Sequence, residues 1–127
     1  MNNELTYEER EFLDTVKELI KCEYCEKDVE IDVYEYSEEE DFYDLLKWEI
    51  PGILSDLLEK NGIHVSEYYF RSVEQPYPDY LFLMEYGGTE YTLGIYIDVD
   101  YEDRIIRIIK MQIKKGKPSK SFLVYYT

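Results

Sequence analysis

Histidine and cysteine, which many active sites use as base and nucleophile, are scarce in this sequence. Its 127 residues include one histidine, one tryptophan and two cysteines. It contains no glycine-rich phosphate-binding loop and no nucleophile elbow, so the common nucleotide-binding and hydrolase motifs are excluded. A serine or cysteine nucleophile would have to rely on His64 alone as its base. We therefore predict that the protein is not an enzyme.

Long hydrophobic runs are also missing. No stretch approaches the roughly 20 apolar residues that a membrane span requires. The first residues, MNNELTYEER, lack the positive and apolar regions of a secretory signal. These absences predict a cytosolic protein that does not enter membranes. Hydrophobic residues make up 45% of the chain, which is enough for one core, so we predict a single domain over residues 1–127.

Negative charge dominates the chain but is absent from its end. There are 29 acidic and 14 basic residues, which give a formal net charge of −15. All of the acids lie in residues 1–103, whereas residues 104–127 contain 7 bases and no acid. An acidic body of this kind repels nucleic acid and anionic membranes and attracts basic proteins. We predict a basic protein partner and no direct binding of nucleic acid by the acidic body. For the basic end three roles stay open: contact with phosphate, pairing with acidic strands of the same chain, or contact with a partner of mixed charge.

Capping boxes and apolar spacing predict two helices. Thr6 with Glu9, and Ser37 with Glu40, each match the box that satisfies the first N–H groups of a helix. Apolar residues at helical spacing follow both boxes. We expect helices over residues 7–21 and 38–60, the second kinked or split by Pro51.

The remaining segments are typical of a sheet. Gly87-Gly88 between two alternating segments is a strong signal for a two-residue hairpin. The isoleucine-rich run over 104–113 favours a strand, although its periodicity is ambiguous. The fold expected is α+β, with two helices packed on one face of an antiparallel sheet of about five to six strands. The strands are expected around residues 29–33, 63–73, 80–86, 89–99, 104–113 and 122–126.

Two cysteines at a spacing of three form the one motif with metal-binding potential. Cys22 and Cys25 fit the bite of a tetrahedral zinc ion but supply half of its ligands. His64 is the expected third ligand of one structural zinc, with Glu26 or Asp28 as the local carboxylates. Two chains could instead share four cysteines, so a monomer and a metal-bridged dimer are both open. The alternatives are two ordinary thiols or a redox pair, and the acidic surroundings at a helix C-terminus disfavour the reactive thiolate.

Acidic and aromatic side chains are concentrated in one stretch, which is the predicted partner-binding site. Carboxylates there would steer a basic partner, and tyrosines would anchor it. The alternative is a solvated helix start, because acids at that position also complement the helix dipole. The predicted contacts are Glu30, Asp32, Glu35, Glu38, Glu39, Glu40, Asp41 and Asp44, with Tyr34, Tyr36 and Tyr43 as anchors.

This stretch, DVEIDVYEYSEEEDFYDLLKWE over residues 28–49, resembles small anti-CRISPR proteins, together with the cysteine pair before it. The resemblance is one of composition, and the family has no common motif to transfer residue by residue. It implies an inhibitor that keeps nucleic acid from loading onto a basic protein such as a single-effector Cas nuclease. The basic residues 104–127 depart from a simple DNA mimic and leave open a contact that blocks loading indirectly. The alternatives are an immunity protein that neutralises a nuclease toxin and, less favoured, a small metal-dependent enzyme.

Overall fold

The computed structural model describes most of the chain as an α+β fold with an open antiparallel sheet, so the predicted class is confirmed. Helix α1 spans Tyr7–Tyr24, and helix α2 spans Ile50–Lys60. The strands are β1 (Val29–Asp32), β2 (His64–Phe70), β3 (Tyr80–Tyr86), β4 (Thr89–Asp100) and β5 (Ile105–Lys115). Their order in the sheet is β1-β5-β4-β3-β2, and every neighbouring pair is antiparallel. The structure describes residues 6–24, 29–32, 44–71, 77–100, 102, 105–124 and 126.

Helix α1 begins with the capping box that the sequence predicts. The N–H of Thr6 donates to Oε1 of Glu9 at 2.8 Å, and the N–H of Glu9 donates to Oγ1 of Thr6 at 3.1 Å. These reciprocal bonds satisfy N–H groups that a helix start otherwise leaves unpaired. The helix runs past the predicted end at residue 21 to Tyr24. Its buried side consists of Phe12, Leu13, Val16 and Ile20.

The second helix changes its winding before Pro51. Residues 38–43 of the predicted helix lie outside the described part of the chain. A π-helical turn over Leu45–Glu49 precedes α2. Pro51 is in the first turn of α2 and has no N–H to donate to the helical turn before it. The break expected at the proline therefore takes the form of a switch from π- to α-helical geometry just ahead of it.

The hairpin at Gly87-Gly88 is confirmed. Tyr86 is paired with Thr89 across the turn. Gly87 and Gly88 have φ angles of 59° and 80°, in the left-handed region that a two-residue turn between twisted strands requires.

The strand predicted at residues 122–126 is wrong. A short helix, α3, spans Lys120–Leu123, and Tyr126 forms an isolated bridge with Arg71. Oγ of Ser119 accepts the N–H of Phe122 at 3.2 Å, which caps the helix. The apolar and aromatic residues favour a strand by propensity, but the serine cap and the ring contacts of Phe122 with Tyr77 and Tyr126 favour the helix.

The core joins the two long helices to the sheet. α1 contacts β5, β1 and α2, and α2 contacts β2. Tyr91, Leu93 and Ile95 alternate along β4 and belong to the same buried cluster as the apolar residues of the helices. The hydroxyl of Tyr80 donates to the carbonyl oxygen of Leu46 at 2.6 Å, and burial raises the pKa of this tyrosine far above its ordinary value. None of the helices in the described part of the chain combines the length and apolar character that crossing a membrane requires.

Candidate functional site

The structure describes three of the eleven predicted partner-binding residues. Glu30 and Asp32 lie in β1, an edge strand, where Glu30 is in register with Arg107 of β5. This pairing brings an acidic strand beside the basic end of the chain. Asp44 is exposed just ahead of the π-helical turn. The other predicted contacts, Tyr34, Glu35, Tyr36, Glu38, Glu39, Glu40, Asp41 and Tyr43, lie outside the described residues.

Trp48 adds an aromatic side chain to this site, although it is not among the contacts predicted from the sequence. It lies in the π-helical turn with 58% of its surface exposed. Nζ of Lys47 is 5.1 Å from the centroid of its ring, and Asp44 and Glu49 are exposed nearby in sequence. Tryptophan dominates the energetics of many protein interfaces, and π-helical turns are frequent at functional sites. The apolar stripe of residues 45–58 follows helical spacing and does not include position 48, so a large aromatic residue off that stripe was the available signal.

Helix α1 presents carboxylates and a tyrosine to solvent. Tyr7 is 78% exposed, and its hydroxyl donates to Oε1 of Glu11 at 3.2 Å. This bond to Glu11 raises the pKa of the tyrosine. Glu8 forms an ion pair with Nζ of Lys115 at the edge of the sheet. The exposed acids of α1 are Glu8, Glu11, Asp14 and Glu18, and those of α2 are Asp56 and Glu59.

The predicted zinc ligands are not all described. Cys22 lies in the last turn of α1, and Cys25 lies outside the described residues. His64 is the first residue of β2, is exposed, and has Nδ1 3.1 Å from Oε1 of Glu59. β1 and β2 form opposite edges of the sheet and are separated by four strand spacings, or about 19 Å. Helix α1 contacts β1, whereas helix α2 contacts β2. Within the described ranges no three metal-binding side chains converge. The zinc site stays a prediction.

An open cleft of about 1100 Å³ lies largely along the sheet face that points away from the core, and Glu9 and Leu13 of α1 also line it. Its floor includes Thr92, Gly94 and Tyr96 of β4, which alternate with the core residues of that strand. Its walls are the 77–78 loop and the segment over 116–122, which follows β5 across the sheet. The sequence gives no local signal for this cleft, because it depends on a long-range crossing of the chain end.

A hydrogen-bonded corner holds the cleft walls in place. The guanidinium of Arg71 donates to Oδ1 of Asp79 at 2.7 Å and to the carbonyl oxygen of Tyr77 at 3.1 Å. The hydroxyl of Tyr126 donates to the carbonyl oxygen of Pro78 at 2.8 Å. Burial of Tyr126 raises its pKa above the ordinary value of 10.0. The corner joins the loop before β3 to the end of the chain.

Comparison with known proteins adds no family assignment. A scan of protein-family models finds no match to this chain, and searches of curated proteins and of solved structures find no similar protein.

Proposed function

We propose that the protein binds a basic surface on a nucleic-acid-processing protein and prevents nucleic acid from loading onto it. The observation that carries the proposal is Trp48, an exposed aromatic on the π-helical turn at the end of the acidic stretch. Asp44 and Glu49 add exposed carboxylates on either side of it in sequence. Carboxylates speed and orient the encounter with a basic surface, and a buried aromatic slows dissociation.

The arrangement of the helices supports this assignment. We infer that α1 and α2 cover one face of the sheet, because their apolar residues share a single cluster with alternate residues of β3, β4 and β5. Their polar sides then face solvent and carry exposed acids, with one exposed aromatic, Tyr7, on α1 and another, Trp48, on the turn before α2. In a complex, the carboxylates would occupy the positions where the partner normally binds phosphates. The aromatic rings would occupy the positions where it binds bases. The role is that of an anti-CRISPR-like inhibitor acting in the host cytosol on a protein such as a Cas nuclease.

The experiment is capture of the partner followed by a loading assay. Wild-type protein is used as bait in a lysate of the native host, and captured proteins are identified by mass spectrometry. The purified partner is then titrated with labelled nucleic acid, with and without a saturating amount of the wild-type protein. We expect the inhibitor to abolish loading, and a Trp48→Ala variant to require a much higher concentration for the same effect.

Two outcomes would redirect the proposal. If the captured partner is a nuclease toxin encoded beside this gene, the protein is an immunity protein. If the partner binds its nucleic acid equally well when saturated with the wild-type protein, it does not act as a loading inhibitor.

A further inference from the structure

We propose that the cleft on the outer sheet face binds single-stranded nucleic acid. Most of this site lies on the sheet face away from the core, and α1 contributes Glu9 and Leu13 to its lining. It does not use Trp48 or the acidic stretch of the proposed function. It uses the basic end of the chain, not the acidic body.

Positive charge is concentrated around this cleft. Lys114 and Lys117 line it, and Lys110 and Lys120 are exposed on β5 and on α3. Lys110 and Lys114 are four residues apart on the same strand face, which separates them by about 14 Å. Lys117 pairs with Glu90 at 3.5 Å, whereas the other three lysines form no ion pair with any described carboxylate. In a chain of net charge −15, four lysines gather at this one site, where Glu9 in the lining and Glu90 beside Lys117 are the neighbouring carboxylates.

Aromatic rings line the same cleft. Tyr77, Tyr96 and Phe122 are half-buried there, and the rings of Tyr77 and Phe122 meet edge to face at 4.9 Å. Nζ of Lys110 lies 5.3 Å from the centroid of the Tyr96 ring, so a cation already occupies a position beside that ring. Cations that follow a backbone, combined with rings on which bases stack, are the two elements of sequence-tolerant single-strand binding.

The combination favours a single strand over other anions. An acidic peptide would bind through the lysines and would gain nothing from aromatic rings that can stack on bases. A duplex keeps its bases stacked inside and brings a higher charge density towards the acidic body. At physiological salt the screening length is about 8 Å. A short strand in the cleft is therefore influenced by the lysines and by Glu9 and Glu90 beside them more than by carboxylates farther away on the protein.

The test uses the isolated full-length protein and a fluorescent oligothymidylate of about 10 nucleotides, a length within the site sizes of single-strand-binding folds. We expect binding by anisotropy at about 50 mM salt, weakening steeply as salt rises. Lys110→Glu with Lys114→Glu should weaken binding at least tenfold. It should also reduce the slope of log K against log salt by about 1.4, the value for two lost phosphate contacts. Tyr96→Ala should weaken binding by roughly 5- to 150-fold with the salt slope unchanged.

The matched control is Lys17→Glu with Lys60→Glu, which makes the same change of net charge on the two helices. Circular dichroism confirms that each variant is folded. The proposal is overturned if the oligonucleotide does not bind at about 50 mM salt, if the control loses as much affinity as the β5 pair, or if polyglutamate binds the cleft and oligothymidylate does not displace it. No partner protein enters this experiment, so its failure leaves the partner-binding proposal in place, and the reverse also holds.

Discussion

The backbone N–H of Lys115 donates to Oε2 of Glu9 at 2.8 Å, although the two residues are 106 positions apart in the chain. The other oxygen of the same carboxylate accepts the N–H of Thr6. Glu9 is 8% exposed and is the buried charged residue of the described chain. One side chain therefore completes the start of α1 and holds the end of β5 against it.

Replacing Glu9 by alanine should lower the free energy of unfolding by about 2–3 kcal/mol, because two hydrogen bonds to a charged acceptor are lost. Thr6→Ala removes the cap but keeps the bond to Lys115, and it should cost about 1 kcal/mol. Glu8→Ala breaks an exposed ion pair and should have a much smaller effect. Urea denaturation measures all three. Equal losses for the Glu9 and Thr6 variants would show that the bond to Lys115 contributes nothing.

The contribution of Glu9 should depend on pH. Partial burial by itself would raise the pKa of Glu9, but hydrogen bonds from Thr6 and Lys115 outweigh it and lower the pKa below its ordinary value of 4.5. A carboxylate with a depressed pKa stabilises the fold above the unfolded value and loses that effect as pH falls through the folded value. The stability difference between wild type and Glu9→Gln should therefore be constant above about pH 5 and shrink below pH 4.5. A difference that stays constant down to pH 3 would contradict this.

Gly94 should not tolerate a methyl group. A Cβ at this position would lie 2.7 Å from Cγ of Pro78, which is buried and held through its carbonyl by Tyr126. Gly94→Ala should cost about 1–3 kcal/mol of unfolding free energy, as overpacking usually does. Gly52→Ala, in α2 with no atom within 4 Å of the added group, should instead stabilise by about 0.5–1 kcal/mol. Thermal denaturation compares the two, and a Gly94 variant as stable as wild type would mean that the loop moves freely.

The zinc hypothesis predicts metal in the purified protein. Elemental analysis of protein prepared without chelator should find about one zinc per chain, or one per two chains if cysteines of two chains share the ion. Cys22→Ser and Cys25→Ser should then lower stability, because binding free energy adds directly to folding. His64→Ala separates the alternatives, since it weakens binding only if this histidine is a ligand. Protein that is free of metal, with serine variants as stable as wild type, would refute the site.

The acidic stretch and the aromatic residues should affect different steps of partner binding. Reversing Glu38, Glu39 and Asp41 to lysine should slow association more than it speeds dissociation. Tyr36→Ala and Tyr43→Ala should mainly speed dissociation. Surface plasmon resonance with the captured partner gives both rates. Association should also slow as salt rises past roughly 0.15 M.

The control for that series is reversal of three acids elsewhere, at Glu67, Glu85 and Asp98 on the strands, which makes an equal change of net charge. If the strand triple slows association as much as the first triple, net charge alone is responsible. If the first triple leaves both rates unchanged in a folded protein, the stretch is a solvated helix start, and the basic end or the 75–79 loop becomes the candidate contact.

Local signals in the sequence predicted the parts of the fold that depend on near neighbours. The cap at Thr6 and the turn at Gly87-Gly88 each need only residues close in the chain. The segment at 122–126 was predicted wrongly because propensity does not include the long-range contact of Tyr126 with Arg71. The bond between Glu9 and Lys115 and the cleft beside Gly94 depend on contacts between distant segments, which no periodicity encodes.

The edge of β5 has a consequence for self-association. β1 pairs with residues 105–108, and along 109–115 no described strand lies on that side. A bare strand edge is a template on which another chain can add its own strand and begin a fibre. The N–H of Lys115 on this edge is already bonded to the carboxylate of Glu9. An incoming strand would have to displace this carboxylate, which would then be buried without a hydrogen-bond partner. The bond between Glu9 and Lys115, which holds α1 against β5, therefore also disfavours the addition of a second chain to this edge.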